Sequence, residues 1–291
     1  MKTISRLVAL WVFALYLSSL GGAQDFGTKQ AFDSSDFYVF TEAGGQYIPS
    51  IQINDFSASG TLPISISGLE YSYSGTANYS NFVVKPSVGY DFILGLGYQI
   101  NNNLGVELEV GYAQNDLGSA QFSVNTSGNG GGTVLGLPFT GTASGSGVGT
   151  ISSTSATLTY IPILINFSVQ ERSASFQPMA SIGLGVCPTI FKANNISLSY
   201  SESGTISGNV AGIPFSAPYS GVISGFGELD SSTAIPFAFK LKAGFDYAFS
   251  PQASLGLRAW AMGLANSNFG DELRSDLYGA IGLNAAFKIR F

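Results

Sequence analysis

Apolar side chains occupy alternate positions in eight separate segments of this chain. The clearest segment is 104–112, in which leucine, valine and tyrosine alternate with glycine and glutamate. Successive side chains of a β-strand point to opposite faces, so this alternation predicts strands with one apolar and one polar face. The eight segments cover residues 37–47, 88–100, 104–112, 154–169, 176–186, 235–249, 253–262 and 276–291.

The connections between these segments are short and long in turn. The short ones cover 101–103, the stretch around 170–174, and 250–252; the long ones cover roughly 49–86, 115–153, 188–232 and 263–275. Short turns at one end and long loops at the other are typical of outer-membrane barrels. We therefore expect an all-β fold: an eight-stranded antiparallel up-and-down transmembrane β-barrel with long extracellular loops. Ten strands are the alternative, because residues 61–75 within the first long loop could themselves pair.

Composition separates a membrane barrel from a soluble β-sandwich, which would show the same alternation. Charged residues make up only 10% of the chain, against about 25% in a typical soluble domain. Mean hydropathy is positive, yet no apolar run approaches the ~20 residues that a spanning helix needs. Segment 235–249 carries Phe and Tyr at both ends of one face and charged residues on the other. That distribution favours a barrel wall with aromatic girdles in lipid.

The start of the chain has the features of a secretory signal. Lys2 and Arg6 precede an apolar stretch, 7–20, and small residues follow up to Ala23. This order predicts a signal peptide at 1–23 with cleavage after Ala23, and a barrel domain at 24–291. The formal net charge is −6 before cleavage, and cleavage removes two basic residues. A nucleic-acid partner is therefore not expected.

The last strand and two inner segments carry a family resemblance. The chain ends on Phe291 after an alternating strand, which resembles the C-terminal signature of bacterial outer-membrane proteins. The stretches KPSVGYDFILGLGY and LGVELEVGYAQ are similar to the second and third strands of surface-antigen and opacity-protein barrels of the OmpA-like group. The resemblance implies the outer membrane of a Gram-negative bacterium, contact with its lipid, and recognition of Phe291 by the barrel-assembly machinery. We expect no peptidoglycan-binding module after Phe291.

Charged residues collect on the Gly-rich face of the predicted strands, which a barrel turns inward. Five acids and five bases lie there: Glu42, Asp91, Glu107, Glu109, Asp246, Lys240, Lys242, Arg258, Lys288 and Arg290. Unpaired charge is costly in a low-dielectric wall, whereas paired and hydrogen-bonded charge is tolerated. An eight-stranded barrel is also just wide enough for side chains to fill. Our hypothesis is an ion-pair network that plugs the lumen; the alternative is a narrow hydrated channel.

Catalytic and cofactor chemistry finds little support in the sequence. With no His in the chain, Ser-His and Asp-His catalytic pairs are impossible. Glu107 and Glu109 are same-face neighbours, and Lys or Arg partners are available to them, which favours a structural role. Cys187 is the single Cys, so metal sites built on His or Cys clusters are excluded. We expect no catalytic, cofactor or metal site, and hence no enzyme.

Two of the long loops resemble each other. Residues 134–140 and 210–216 share a spacing that ends in a Pro-Phe pair, with Phe139 and Phe215 near the tips of two predicted hairpins. Exposed aromatic tips would suit adhesion or ligand binding; the alternative is that the hairpins pack on one another. The loops are also rich in acids, Glu202 among them, which predicts an acidic exposed crown. We expect a structural or adhesive surface protein, with a small porin-like diffusion channel as the alternative. The sequence does not identify a surface ligand or host molecule.

Overall fold

A computed structural model describes residues 37–66, 69–101, 103–134, 136–172, 174–268 and 274–291. The predicted signal peptide, 1–23, lies outside these residues, and the start of the barrel domain at residue 24 stays a prediction. The regular elements of the described part are fourteen β-strands: β1 Phe37–Tyr47, β2 Ile51–Ile53, β3 Phe56–Ile66, β4 Leu69–Pro86, β5 Gly89–Gln99, β6 Leu104–Val134, β7 Leu137–Tyr160, β8 Ile163–Gln170, β9 Phe176–Val186, β10 Thr189–Val210, β11 Ile213–Ala234, β12 Phe237–Ala248, β13 Ala253–Asn268 and β14 Arg274–Arg290. Among these residues, no helix is long and apolar enough to cross a membrane.

Eight of the strands close into a ring. The antiparallel order is β1, β5, β6, β8, β9, β12, β13 and β14, and β14 pairs back onto β1. The prediction of an eight-stranded antiparallel barrel is thereby confirmed. The segment behind the ten-strand alternative does pair, since β3 lies against β4, but both strands lie outside the ring.

The two faces of the ring follow the sequence alternation. Along β5, Phe92, Leu94 and Leu96 point outward and are about half exposed, while Asp91 and Ile93 point inward and are buried. Aromatic pairs lie on the outer surface near both ends of the strands. Phe37 packs on Tyr98 beside one set of short turns, with ring centroids 4.8 Å apart, and Tyr90 packs near Tyr112 at the other end at 6.3 Å. The outer wall is therefore an apolar band between aromatic rings, as lipid contact requires.

Prolines mark the level at which most strands leave the ring. Proline has no N–H for the strand ladder, so it interrupts pairing and lets the chain bend. Neighbouring chains still hydrogen-bond at this level: Ile161 N–H donates to the Pro188 carbonyl (2.9 Å) and Cys187 N–H donates to the Pro236 carbonyl (3.0 Å). We call this level the proline rim; it contains Pro49, Pro86, Pro162, Pro188 and Pro236.

Beyond the proline rim the chain forms a second region, which we call the extension. It consists of β2, β3, β4, β7, β10, β11 and the outer part of β6, residues 117–134. Its main sheet has the antiparallel order β3, β4, β6, β7, β10, β11. The segments 115–153 and 188–232, which the sequence predicts as loops, are therefore mostly strands. Strand β6 belongs to both regions and joins them.

Candidate functional site: the lumen and the extension

One part of the lumen is organised around Glu109, which is fully buried on β6. Lys240 Nζ lies 2.5 Å from one carboxylate oxygen of Glu109, and Lys242 Nζ lies 2.9 Å from the other. Lys242 also reaches Glu42 Oε1 at 2.8 Å, and Asn166 donates its amide N–H to Glu109 at 3.0 Å. Four strands, β1, β6, β8 and β12, thus contribute to one cluster in which each buried ammonium contacts a carboxylate.

A second cluster surrounds Asp246 on β12. Arg258 donates to Asp246 Oδ1, and Lys288 Nζ lies 3.0 Å from Oδ2. The Gln170 amide N–H donates to the same Oδ2 at 2.6 Å, while Gln170 Oε1 accepts from Lys288 at 3.1 Å. Two bases therefore share one acid, and a neutral amide completes the hydrogen bonds.

Seven of the ten charged residues predicted for the inner face form these ion pairs. The other three are also buried, and each has a neutral partner. The Tyr38 hydroxyl donates to Glu107 at 2.8 Å, the Asn284 amide N–H donates to Asp91 at 2.6 Å, and Arg290 donates to Gln177 at 2.8 Å. The charged residues of the lumen and the groups that hydrogen-bond to them thus come from strands all around the ring.

Aromatic rings cover the three lumen lysines. Lys240 Nζ lies 4.9 Å from the ring centre of Trp260, and Lys242 Nζ lies 5.2 Å from that of Phe40. Lys288 Nζ lies 4.6 Å from the ring centre of Tyr38. Ammonium groups at such distances are attracted to the ring face. Sequence reasoning missed Tyr38 and Phe40, although their inward position follows from the alternation along β1.

Inward-facing glycines make room for these rings. A Cβ at Gly97 would collide with the ring of Tyr38, and one at Gly95 would collide with the ring of Phe40. A Cβ at Gly282 would likewise meet Trp260. The Gly-rich inner face of the barrel is therefore a packing surface for aromatic side chains.

An apolar layer lies between the charged lumen and the extension. Its members adjoin the proline rim, and each is at most 1% exposed: Ile48, Tyr160, Cys187, Ala238 and Leu264. They belong to one continuous cluster with Trp260 and Met262 of the ring and with Phe122 and Val124 of the extension. The lumen charges and the extension are thus separated by closely packed apolar side chains.

The extension has a polar outer face with a regular arrangement. Directly opposed residues in antiparallel strands share a face, and three rows of them cross five strands. The rows are Asn78, Asn125, Ser146, Ser203 and Ser220; Thr76, Ser127, Ser144, Thr205 and Pro218; and Ser74, Asn129, Thr142, Ser207 and Ser216. None of these positions is charged, and all except Pro218 present a hydroxyl or amide group, with about 4.8 Å from strand to strand.

The inner face of the extension holds a buried carboxylate. Glu202 is 3% exposed and accepts hydrogen bonds from Thr126 and from the Tyr219 hydroxyl, the latter at 2.5 Å. The space for it comes from Gly145, where a Cβ would collide with the carboxylate. Glu202 is therefore not part of an exposed acidic crown, and that prediction is wrong for this residue.

The two Pro-Phe hairpins meet inside the extension. Phe139 is 4% exposed, and its ring packs edge-to-face on Phe215 with centroids 5.5 Å apart. The chain reverses at Gly136 in one hairpin and at Ala211 and Gly212 in the other, between the strands that the repeat predicts. Of the two interpretations of these aromatic residues, packing between the hairpins fits this geometry.

No cluster of three or more His, Cys, Asp or Glu that could hold a metal ion occurs in the part of the chain that the structure describes. Glu107 and Glu109, the carboxylates considered for catalysis, are both buried. Glu109 contacts two lysines, and Glu107 accepts from Tyr38. This arrangement favours a structural role for both.

Comparison with known proteins gives a family and several solved structures to which the chain is similar. Residues 54–288 match the model of the outer membrane protein beta-barrel domain family. Among solved structures, Neisserial surface protein A is 12% identical with a TM-score of 0.30, covering 88% of this chain and 97% of its own. OprG from Pseudomonas aeruginosa is 13% identical with a TM-score of 0.31, covering 89% and 99%. The outer membrane protease OmpT from Escherichia coli is 7% identical with a TM-score of 0.27, covering 92% and 99%. No curated protein matches the chain.

Proposed function

The chain belongs to the outer membrane protein beta-barrel domain family, and from this premise we propose that it is a non-conducting surface protein of the bacterial outer membrane that acts through its extension. Outer-membrane barrels have short periplasmic turns and long extracellular loops. The ring is therefore the part in lipid, and the extension projects outside the cell.

The filled lumen carries the proposal that the barrel does not conduct. Two ion-pair clusters, around Glu109 and around Asp246, occupy its interior, and the apolar layer covers it at the extracellular end. Side chains alone can fill an eight-stranded barrel. A small diffusion channel, the alternative, would need a continuous hydrated path past both clusters.

We expect no steady conductance from the purified, folded protein in planar lipid bilayers. The measurement compares its current with that of a general porin reconstituted in the same bilayers, after a boiled and an unboiled sample have shown different gel mobility. The proposal is supported if no current is recorded at a protein density at which the porin gives many open channels. A large, steady conductance that scales with protein density contradicts it and favours the channel.

The outer face of the extension supports a role in surface contact. Its rows consist of uncharged residues, mostly exposed Ser, Thr and Asn, and they form part of a paired sheet rather than separate loops. Such a face offers many hydrogen-bond donors and acceptors in fixed positions and does not repel an uncharged polymer. We infer that its partner is a neutral, hydroxyl-rich polymer such as a polysaccharide. The barrel-assembly machinery, through Phe291, stays a proposed partner of the nascent chain.

Added charge on this face tests the contact role. We expect protein in lipid nanodiscs to be retained on immobilised dextran, and we expect Ser144→Asp together with Ser146→Asp to reduce that retention several-fold. Both residues lie near the centre of the rows. A polymer bound there would cover the added carboxylates and remove their hydration, which is costly. Ser155→Asp, an exposed position on the same strand outside the rows, serves as the control and should bind like the wild type. A wild-type protein that dextran does not retain contradicts the proposal.

A further inference from the structure

The base of the extension contains a cavity of about 230 Å³. It lies between β2, β3, β4, β6, β7 and β10, on the extracellular side of the apolar layer. Its lining is formed by hydrocarbon side chains such as Ile53, Phe82, Leu117 and Leu158. The one hydroxyl in the lining, that of Ser153, donates to the Asn194 carbonyl. The cavity therefore offers packing surface and almost no hydrogen-bonding groups.

Register shifts interrupt the regular pairing of the strands around this cavity. Register shifts occur in β4 between Ser80 and Val83, in β6 between Asp116 and Ala120, and in β10 between Ala193 and Ile196. Asn81 and Asn195 lie inside two of these shifts with φ values of 53° and 49°, in the left-handed region. Farther out, the β6–β7 pairing runs from Ala120 to Val134 without a shift. Bulges redirect side chains and are frequent beside binding sites, so the cavity is a local feature rather than loose packing of the whole sheet.

Exposure along the lining indicates where the cavity opens. Leu117 and Leu158 at its base are buried, whereas Phe56, Phe191 and Ile196 are only half-buried. Ile151 and Ser153 of β7 are half-buried as well, so the mouth lies where β3, β7 and β10 line the cavity, close to the proline rim. A molecule leaving the membrane surface and a small molecule arriving from outside the cell would meet the same opening.

We propose that this cavity is a binding site for a hydrocarbon group, a single aromatic ring or a short alkyl chain. An apolar cavity of ~150 Å³ stays dry and takes up benzene, and this one is larger. Charged or hydrogen-bonding ligand groups are disfavoured because the lining cannot compensate for their lost hydration. The hydrocarbon could belong to a free molecule or to an acyl chain of a membrane lipid. The site depends neither on a closed lumen nor on the polar outer face.

A tryptophan at the mouth provides the test. Phe191→Trp places an indole against the cavity, and wild-type protein, which keeps buried Trp260, gives the background emission. We expect 1,4-dibromobenzene, a heavy-atom quencher, to quench the added tryptophan saturably in nanodiscs of unbrominated phosphatidylcholine. In a second arm, nanodiscs of phosphatidylcholine with brominated acyl chains quench it without any added ligand if a lipid chain enters the cavity.

Filling the cavity separates binding from simple proximity to the membrane. Ala156 lines the cavity, and Ala156→Phe added to Phe191→Trp should weaken the apparent affinity for dibromobenzene about tenfold or more. It should also remove quenching by brominated chains that enter the cavity. Ser155→Phe adds the same ring to the outer side of the same strand and should change neither.

Each result decides the proposal. Saturable quenching by dibromobenzene that Ala156→Phe weakens supports a free hydrocarbon ligand, and quenching by brominated chains that Ala156→Phe removes supports an acyl chain. Quenching in neither arm, or equal quenching with and without Ala156→Phe, overturns the site. If Ala156→Phe fails to give a heat-modifiable barrel, competition decides instead: excess toluene must relieve the quenching of Phe191→Trp, and persistence of that quenching overturns the site.

Discussion

Glu109→Gln is expected to lower the free energy of unfolding by about 3–5 kcal/mol, the usual cost of removing one partner from a buried charge pair. The change leaves Lys240 without its ion-pair partner and leaves Lys242 with Glu42 alone. Both ammonium groups are buried, so water cannot readily replace the lost carboxylate. The measurement is equilibrium unfolding in urea, followed by tryptophan emission and by gel mobility of unboiled samples.

Two further variants show whether the loss comes from an unpaired lysine. Asp116→Asn removes an exposed acid from the same strand and should change stability by less than about 0.5 kcal/mol. Glu109→Leu combined with Lys240→Met removes one acid and one base together, while Lys242 keeps Glu42. Because replacing a whole buried pair by apolar groups is often neutral, this double variant should recover most of the loss. A single variant as stable as the wild type would mean that Glu109 is hydrated, as in an open channel.

The ring could be predicted from the sequence because lipid imposes a strong contrast between its two faces. Segment 104–112 begins where β6 begins, at Leu104, and its glutamates point inward as the alternation requires. The outer positions must be apolar, whereas the inner ones can carry charged and polar groups among glycines and aromatic rings. This contrast placed all ten charged residues on the buried inner face.

The extension could not be predicted in the same way, because lipid does not act on it. Strand β6 continues to Val134 and β7 runs from Leu137 to Tyr160. Phe122 and Val124 still alternate with Ser123 and Asn125 in β6, but beyond Thr126 the two faces differ little in hydropathy. The outer face carries Ser, Thr and Asn, and much of the inner face carries Gly and Ala, such as Ala143 and Gly145. A weak signal was present in β10, where Tyr200, Glu202 and Ile206 share one face, and it would have placed Glu202 inside.

The sequence also could not predict which of the lumen residues pair with one another. The alternation tells which charges face inward, but pairing depends on the strand register and on the curvature of the ring. Lys242 and Glu42 meet although 200 positions separate them in the chain. Neutral groups such as Gln170 and Tyr38 share the charged hydrogen bonds, and nothing local in the sequence distinguishes them from other inward polar residues.

A charge on the lipid face should cost more in the middle of the wall than at its edge. Leu94 is the central residue of β5, points outward and is 53% exposed, and its cross-strand neighbours are Thr41 and Val110. Neither neighbour can pair with an added base. We expect Leu94→Arg to lower the free energy of unfolding from phospholipid vesicles by about 2–4 kcal/mol, as for Arg at a bilayer midplane.

Ile100→Arg provides the matched control, because Ile100 is equally outward-facing, at 58% exposed, but follows β5 at the short turn. At that depth the arginine reaches the polar interface, and its cost should be about 0–1 kcal/mol. The difference between the two variants, measured by urea unfolding in the same vesicles, therefore reports the depth of β5 directly. Equal losses would contradict a membrane-spanning β5, whereas a soluble protein with the same ring would tolerate both arginines alike. The difference in cost distinguishes a membrane-spanning ring from a soluble one. Leu94 and Ile100 are similarly exposed, and only in lipid do they have different surroundings.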